Sequence, residues 1–138
     1  MSQRTLLMVK PDATKKGNTG EIIKRLEGAG FKLLALRSLR LSKKEAQSFY
    51  GVHRERPFFG ELVEYITSGM VVPMVLEKED AIASLREFIG ATNPAEAKAG
   101  SIRADLGEDI QHNAVHSSDA AETAVREIGF FFTEKDLV

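Results

Sequence analysis

A short apolar run near the beginning of the chain constrains the fold more than any other feature of the sequence. Residues 5–9 read Thr-Leu-Leu-Met-Val, without the polar–apolar alternation of a half-exposed strand. This pattern predicts a strand that is buried on both faces. Lys10-Pro11-Asp12 ends the strand, because Pro11 cannot donate to a ladder and pushes Lys10 into an extended conformation. Lys10 is therefore expected at the C-terminal end of a central strand, a usual place for ligand contacts in sheet proteins.

The hydrophobic pattern of the remaining chain predicts alternating strands and helices. Predicted strands cover residues 5–9, 31–41, 70–76 and a short piece that ends near His116. Predicted helices cover residues 20–29, 42–50, 58–67, 80–89 and 120–127. In the second strand, Leu33, Ala35, Leu39 and Leu41 are expected to share one face.

Local signals mark particular positions in these elements. Ser42 and Glu45 have the spacing of a capping box, and Asp119 and Glu122 repeat that spacing before the last helix. Pro73 lies inside the third strand. Because proline disfavours a central position, this strand is expected to be an edge strand or to carry a bulge at Pro73.

The order of the elements predicts the fold class. Removing the helix pair between the second and third strands leaves β-α-β-β-α-β, the α+β ferredoxin-like plan with a four-stranded antiparallel sheet. Residues 91–110 show no strong periodicity apart from one short helical turn at Asn93-Pro94, and such a long irregular segment is usually a binding loop. The sequence has no repeat, linker or low-complexity segment, so residues 1–138 are expected to form a single domain.

Composition excludes several classes of function. The net charge of −1 provides no basic field that would gather nucleic acid. The lack of cysteine excludes disulfides, thiol nucleophiles and thiolate metal sites, and it fits a reducing cytoplasm. No apolar stretch approaches the roughly 18 to 20 residues that span a bilayer, and the first residues do not read as a signal peptide. We therefore expect a cytoplasmic protein without membrane or nucleic-acid partners.

A histidine at a strand-to-helix turn is the leading candidate for chemistry. His116 ends the short fourth strand, and the helix that follows carries Glu127. A histidine that is oriented by a carboxylate near backbone N–H groups is a workable phosphate-handling nucleophile. A lone histidine near an aspartate is, however, more often a capping or surface residue. The pattern GxxxxGK[ST] is absent, so phosphate transfer would depend on scattered cations and helix ends.

Further polar residues fall at element ends or in the irregular loop. They are Lys10, Arg86, Thr92, Arg103 and Asn113. Arginine makes forked contacts with phosphate oxygens and lysine acts as a compact charge, but each residue taken alone is more often simply solvated. Tyr50, Phe58 and Phe59 are more typical of a core, although an exposed phenylalanine after Pro57 is also suited to stacking on a base. Neither HExxH nor a Cys/His spacing is present, so no metal site of the protein is expected.

Four motifs, in this order, make the chain resemble the nucleoside diphosphate kinase family. They are Tyr50-x-x-His53-x-x-Arg56-Pro57-Phe58-Phe59, Gly90-Ala91-Thr92-Asn93-Pro94, Ile102-Arg103-x-Asp105 and Asn113-x-x-His116-x-Ser118-Asp119. The resemblance covers essentially the whole chain, and the short segment after Phe132 is similar to that of bacterial members. It implies the ferredoxin-like fold. It also implies transfer of the γ-phosphate of a nucleoside triphosphate, typically ATP, to a nucleoside diphosphate by a ping-pong route through phosphohistidine.

The resemblance implies a role for each matched residue near the reacting phosphate. His116 is implied to be phosphorylated on Nδ1, while Glu127 holds the other ring nitrogen and Ser118 supports Glu127. Lys10 is implied to contact the sugar and the transferring phosphate, and Asn113 also reaches the sugar.

The remaining matched residues are implied to surround the nucleotide. Those that bind its phosphates are Arg86, Thr92 and Arg103, and the one beside the histidine is Tyr50. Phe58 is implied to stack on the base, with Leu62 and Ile110 as apolar neighbours.

The resemblance also implies the cofactor and the partners. Mg²⁺ is implied to arrive with the nucleotide and to bridge its phosphates. Stacking tolerates every base, so broad base and sugar specificity is implied for the nucleoside di- and triphosphates. The family's common unit is a dimer, so a homo-oligomer built on dimers is implied, and the sequence leaves open whether it is a dimer, a tetramer or a hexamer.

Several positions depart from the family pattern. Ser117 stands where the family has glycine; with a positive φ it would carry strain of about 1 kcal/mol, and otherwise the change is neutral. Ala120 replaces a common serine, and Met70 replaces the proline that usually opens the third strand. Two alternatives stay open. One is a catalytically impaired nucleotide-binding protein of the same fold, supported only by Ser117; the other is a phosphohistidine relay, which usually exposes its histidine on a helix face.

Overall fold

Four strands form the centre of the computed structural model, which describes residues 2–138. They are β1 (Ser2–Val9), β2 (Lys32–Leu36), β3 (Val72–Glu79) and β4 (Val115–Ser117). The sheet order is β2-β3-β1-β4, and each neighbouring pair is antiparallel. The α+β, ferredoxin-like plan predicted from the element order is confirmed, whereas the single domain over residues 1–138 stays a prediction.

Helices cover both faces of this sheet. They are α1 (Pro11–Lys15), α2 (Thr19–Gly28), α3 (Lys43–Phe49), α4 (Phe59–Ile66), α5 (Ala81–Ile89), α6 (Ile102–Leu106) and α7 (Ala121–Phe131). The predicted helix pair is α3 and α4, and the predicted short turn is the 3-10 helix Pro94–Glu96. The sequence pattern missed α1 and α6, because five residues are too few to show a helical period. No helix within residues 2–138 has the length and apolar character needed to cross a membrane.

Strand β1 is covered on both faces because its alternate residues belong to two different cores. Leu7 and Val9 pack with α2 and α5, in a group that we call the α2–α5 core. Leu6 and Met8 pack with α3, α4 and α7, in the α3–α4–α7 core. All four side chains are 0% exposed. The unbroken apolar run is therefore what a strand between two helical layers requires.

A β-bulge in β2 changes which residues of this segment share a face. The register with β3 shifts between Leu33 and Ala35. Leu33 packs against the α2–α5 core, whereas Leu34, Ala35, Leu39 and Leu41 belong to or pack against the α3–α4–α7 core. The expectation that Leu33 shares a face with the other predicted residues is wrong, because the extra residue of a bulge offsets the alternation.

Strand β3 is central even though it contains Pro73, so the expectation of an edge strand or a bulge at Pro73 is wrong. Pro73 pairs with Met8 of β1, and its carbonyl on the other side accepts a hydrogen bond of 3.2 Å from the Arg37 N–H. The proline nitrogen faces the same side as its carbonyl. The β2–β3 ladder reaches only to Met74, so the missing N–H removes no ladder hydrogen bond.

Only one of the two predicted capping boxes forms. The Glu45 N–H donates to Ser42 Oγ at 3.1 Å, and the Ser42 N–H donates to Glu45 Oε1 at 2.8 Å. Helix α7, by contrast, has Ala120 as its cap residue and no capping side chain. The prediction of a box at Asp119 is wrong, because its carboxylate instead accepts a hydrogen bond of 2.7 Å from Thr123 Oγ1.

The formed box should contribute to stability. We expect Ser42→Ala to lower the free energy of unfolding by about 1 kcal/mol, because the first turn of α3 loses a capping acceptor. The matched control, Glu122→Ala in the box that does not form, should change it by less than about 0.5 kcal/mol. Urea unfolding at pH 7 measures both, and equal losses would contradict the assignment.

Candidate active site

Strand pairing decides which face of the sheet the candidate histidine occupies. Met8 of β1 pairs with His116 of β4, and Leu7 pairs with Ser117. Directly paired residues point to the same face, so His116 lies on the face of the α3–α4–α7 core and Ser117 lies on the opposite face. The ring of Phe49 packs edge-on against the imidazole, with a distance of 5.5 Å between centroids.

A buried carboxylate orients the imidazole. Nε2 of His116 lies 2.9 Å from Oε1 of Glu127, which also accepts a hydrogen bond of 2.7 Å from Ser118 Oγ. Burial by itself raises the pKa of Glu127, but the hydrogen bond and charge of His116, together with the bond from Ser118, hold it below its ordinary value. An ionised Glu127 accepts a hydrogen bond from the Nε2–H of His116, so a neutral imidazole presents its lone pair at Nδ1.

The ring of Tyr50 forms a second wall beside the imidazole. It lies edge-on to His116, with a centroid distance of 6.1 Å. Burial, and then the charge of Glu127, raise the pKa of Tyr50 above its ordinary value. Its hydroxyl is therefore protonated at neutral pH and adds a polar group without a charge.

Two buried cations lie close to the histidine and are held by neutral oxygens. The Lys10 ammonium donates to the Gln111 carbonyl and to Asn113 Oδ1, each at 2.8 Å. The Arg103 guanidinium donates to the Val115 carbonyl at 2.8 Å and to the Gly90 carbonyl at 3.1 Å. Lys10 is 7% exposed and Arg103 is 8% exposed. Because these partners are neutral, both charges favour an anion in front of them.

The cost of burying these cations appears in their pKa values. Burial lowers the pKa of Lys10 to about 8, against an opposing attraction from Asp12. Burial, followed by repulsion from Arg86, lowers the pKa of Arg103 to about 10. Arg103 is therefore charged throughout the neutral range, while Lys10 loses its charge at mildly alkaline pH.

A cleft of about 250 Å³ opens beside the histidine. The structure brings together around it the predicted residues Tyr50, Arg86, Thr92, Arg103, His116 and Glu127. Asn113 adjoins this cleft, because its amide donates to the Thr92 carbonyl at 2.9 Å, and Lys10 is bonded to Asn113. Ser118 lies behind Glu127 as its hydrogen-bond donor.

The three residues predicted to hold a base do not line this cleft. Phe58 is 45% exposed at the start of α4, and its ring lies 5.6 Å from that of His53, which does line the cleft. Leu62 packs partly into the α3–α4–α7 core, and Ile110 is 60% exposed on the loop before the histidine. The base platform of Phe58, Leu62 and Ile110 stays a prediction.

A larger cavity, of about 1000 Å³, lies among α1, α3, α4 and the loop before the histidine. Its lining includes Asp12, Lys16, Tyr65, Glu108 and His112, and none of the predicted site residues. Cavity size therefore does not identify the reactive centre here. The smaller cleft does, because it combines an oriented histidine with three arginines, Arg86, Arg103 and Arg126.

The backbone before the histidine has an uncommon conformation. Ala114 has φ of 75°, and the Val115 N–H donates across it to the Asn113 carbonyl at 2.9 Å. This is a γ-turn with positive φ, a rare and strained form for a residue other than glycine. The Lys10 N–H donates to the Ala114 carbonyl at 2.9 Å, and the Ala114 N–H donates to Asp12 Oδ2 at 3.0 Å.

Sequence reasoning missed Asp12, Phe49 and Tyr65, which help to build this site. Asp12 stood beside Lys10 in the Lys10-Pro11-Asp12 run, so the sequence contained a signal for it. Phe49 and Tyr65 gave no signal, because nothing in a helical pattern shows which distant loop a side chain will meet.

Ser117 is not strained. In the part of the chain that the structure describes, positive φ outside glycine occurs at Asp80 and Ala114, so Ser117 does not need the freedom of a glycine. Its hydroxyl is buried on the face opposite His116 and has no hydrogen-bond partner within residues 2–138. The strain considered for Ser117 is therefore absent, and what the serine adds is this unpartnered hydroxyl.

Comparisons with known proteins agree on one family. A family model described as nucleoside diphosphate kinase matches residues 3–137. Nucleoside diphosphate kinases of Desulfatibacillum aliphaticivorans and Campylobacter curvus are 55% and 56% identical over 135 residues, with 98% of each chain covered. The nucleoside diphosphate kinase of Aquifex aeolicus has a TM-score of 0.97 at 49% identity, with both chains fully (100%) covered. The halophilic enzyme of Halobacterium salinarum, solved in complex with CDP, has a TM-score of 0.95 at 41% identity, covering 100% of this chain and 92% of the other.

The neighbouring serines Ser117 and Ser118 provide a matched test of the site's packing. We expect Ser117→Ala to raise the free energy of unfolding by about 1 kcal/mol, because it removes a buried hydroxyl without a partner. Ser118→Ala should lower it by about 1 kcal/mol or more, because Glu127 loses a donor. Denaturant unfolding at pH 7 measures both variants, and a destabilised Ser117→Ala would contradict the structure.

Proposed function

Because this chain belongs to the nucleoside diphosphate kinase family, we propose that it moves the γ-phosphate of a nucleoside triphosphate to a nucleoside diphosphate through a phosphohistidine on His116. In the first step Nδ1 attacks the γ-phosphorus, and the bond from that phosphorus to the bridging oxygen breaks. The nucleoside diphosphate leaves with the bond's electron pair. In the second step a terminal oxygen of another diphosphate attacks the phosphohistidine and restores the imidazole.

The pairing of His116 with the buried Glu127 is the observation that carries this proposal. The hydrogen bond of 2.9 Å between Nε2 and Oε1 occupies one ring nitrogen, and this supports attack by the other, Nδ1. Phosphorylation of Nδ1 places positive charge on the ring, and the ionised Glu127 stabilises that charge at Nε2. Ser118 contributes by keeping the carboxylate in place.

The cations around the cleft support binding of the phosphates. The cleft is lined by the cations Arg86 and Arg103 and by the neutral Thr92. Their N–H and O–H groups can stabilise the negative charge that spreads over the transferring group in a loose transition state. Lys10 and Asn113 are assigned to the sugar and the transferring phosphate. Their mutual hydrogen bond of 2.8 Å holds both groups ready before the nucleotide arrives.

The base is assigned to Phe58, with Leu62 and Ile110 as its apolar neighbours. The exposure of Phe58, 45%, leaves a ring face free for stacking. Stacking on an aromatic ring tolerates every base, so broad base and sugar specificity follows.

We assign the divalent cation, Mg²⁺, to the phosphates of the incoming nucleotide. The carboxylates that line the cleft are Asp119 and Glu127, and Glu127 already serves His116. No group of three or more His, Cys, Asp or Glu side chains within residues 2–138 is arranged to hold a metal ion. When bound, Mg²⁺ neutralises phosphate charge and orients the leaving group. A cytoplasmic location and a homo-oligomer built on dimers remain part of the proposal.

The two alternative functions receive less support. The hypothesis of a catalytically impaired nucleotide-binding protein depended on strain at Ser117, but Ser117 does not have a positive φ. The phosphohistidine relay would present its histidine on an open helix face, whereas His116 lies in β4 with its side chain 24% exposed.

Phosphorylation of the intact chain tests the proposal directly. We expect Mg·ATP to add one phosphate by mass spectrometry, and ADP or GDP to remove it. His116→Gln should abolish the labelling, whereas His53→Gln, a control from the same cleft, should retain it. Absence of label in the wild type, or equal labelling of His116→Gln, would overturn the proposal. Release of the phosphate only to a protein acceptor would favour the relay.

The charge of Lys10 should set the alkaline limit of the activity. Its pKa of about 8 in the free protein means that the ammonium is charged below that pH and neutral above it. We therefore expect kcat/KM to fall as the pH rises through about 8. Lys10→Arg, whose guanidinium keeps its charge, should move this fall to higher pH at a lower overall rate. An unchanged alkaline limit in Lys10→Arg would show that another group titrates.

A further inference from the structure

We propose that Asp12 and Tyr65 form a positioning pair that holds the strained turn before His116 and connects it to helix α4. This inference rests on the proposed function, because it concerns how the reactive residues are placed. Neither residue lines the cleft beside His116, and the contact that leads from them toward the nucleophile is the hydrogen bond of the Ala114 N–H to Asp12. Both also lie near Lys10, whose ammonium is 5.7 Å from the Tyr65 ring centroid.

Asp12 makes the contacts that define this pair. Its carboxylate is 8% exposed and accepts the Ala114 N–H on Oδ2 at 3.0 Å. Its other oxygen accepts a hydrogen bond from the Tyr65 hydroxyl, and its own N–H donates to that hydroxyl at 3.0 Å. Burial, and then the bond to Asp12, raise the pKa of Tyr65, so the hydroxyl remains a donor at neutral pH. One oxygen of the Asp12 carboxylate is therefore fixed by Tyr65, and the other holds the turn by accepting the Ala114 N–H.

The turn requires these hydrogen bonds because Ala114 has a left-handed backbone conformation. With φ of 75°, its native conformation is one that alanine rarely adopts without help. The Lys10 N–H holds the Ala114 carbonyl at 2.9 Å, and Asp12 holds the Ala114 N–H. The two hydrogen bonds fix the peptide groups on both sides of the strained residue.

Ala114 separates the anchors of both buried cations. Asn113, on one side, accepts the Lys10 ammonium, and Val115, on the other, accepts the Arg103 guanidinium. A rotation at Ala114 would shift both cations relative to the imidazole that follows. Misplacement of reacting groups by about 1 Å can cost on the order of 100-fold in rate.

Tyr65 extends this link to the element that is assigned to the base. It lies on α4, the helix that also carries Leu62 and follows Phe58 directly. The chain of contacts thus runs from α4 through Tyr65 and Asp12 to Ala114. Through it, the position of the base platform and the position of the nucleophile depend on each other.

The test measures the rate of His116 phosphorylation in a single turnover at saturating Mg·ATP. We expect Asp12→Ala to be roughly 10- to 100-fold slower than the wild type, and Tyr65→Phe roughly 3- to 10-fold slower. Asp12→Asn retains an acceptor for the Ala114 N–H and should recover most of the rate. Thr14→Val is the matched control on α1: it removes a hydrogen bond of 2.7 Å to the Met70 carbonyl, away from the turn, and should leave the rate unchanged.

Ala114→Gly separates positioning from a general loss of stability. Glycine adopts the left-handed conformation without strain, so Asp12→Ala should cost no more than about threefold in the Ala114→Gly background. A purely structural role would give the same loss in both backgrounds. Equal losses, or a wild-type rate in Asp12→Ala, would overturn the inference.

Thermal unfolding and the wild-type reaction distinguish the possible causes of a slow rate. Thermal unfolding of each variant reports whether it is folded, and if Asp12→Ala does not fold, Tyr65→Phe in the two backgrounds decides the question. If the wild type is not phosphorylated, the proposed function fails. If the wild type is phosphorylated and Asp12→Ala matches it, only the positioning pair fails.

Discussion

The burial of β1 on both faces is the constraint on which the rest of the molecule depends. The buried part of β1, residues 5–9, lies between two helical layers and carries no charged side chain; Arg4 precedes it, and the charged side chains that follow it are Lys10 and Asp12, where the strand ends. The short strand β4 pairs with this last part of β1 and brings His116 beside them. The reactive groups are thus adjacent because the buried part of β1 ends here and β4 pairs with it.

The charges of the site are arranged for an anion that binds from outside. Lys10 and Arg103 donate to neutral carbonyl and amide oxygens, which do not cancel their charge, and the buried Nε of Arg103 has no partner within residues 2–138. The lowered pKa values of both residues reflect the cost of this arrangement. Glu127 serves a different purpose, because it holds one ring nitrogen of His116 and leaves the other for chemistry.

Much of this arrangement could be anticipated from the sequence, and the reasons are physical. Continuous apolarity in residues 5–9 required a doubly covered strand, and Ser42 with Glu45 had a spacing that forms a capping box. The failures share one cause. Leu33, Pro73 and Asp119 were read by local rules, but a bulge in β2, the end of a ladder and a competing donor on Thr123 decided their roles. The strand pairings of Leu33 and Pro73 lie elsewhere in the fold, where a local pattern cannot show them, whereas Thr123 is a local partner that competes with the capping position of Asp119.

The irregular segment, residues 91–110, shows the same difference between what local patterns predict and what the tertiary structure decides. Its irregularity and its motifs predicted a binding loop, yet the way it is anchored is a tertiary property. Gly90 has φ of 95°, and a Cβ there would lie 2.5 Å from Ser101 Oγ, so the loop closes only with glycine at that position. Arg103, on the short helix α6, then reaches both Gly90 and Val115.

By itself, the sequence determined the order of the elements, the buried central strand and the identity of the groups available for chemistry. It did so because apolar periodicity and residue type are local properties of a chain. Only the tertiary structure decided that Glu127 holds Nε2 of His116, that Ser117 lies on the sheet face opposite His116, and that Asp12 connects the Tyr65 hydroxyl to the Ala114 N–H. Those relations join residues that are far apart along the chain, and their geometry exists only once the strands have paired and the helices have packed.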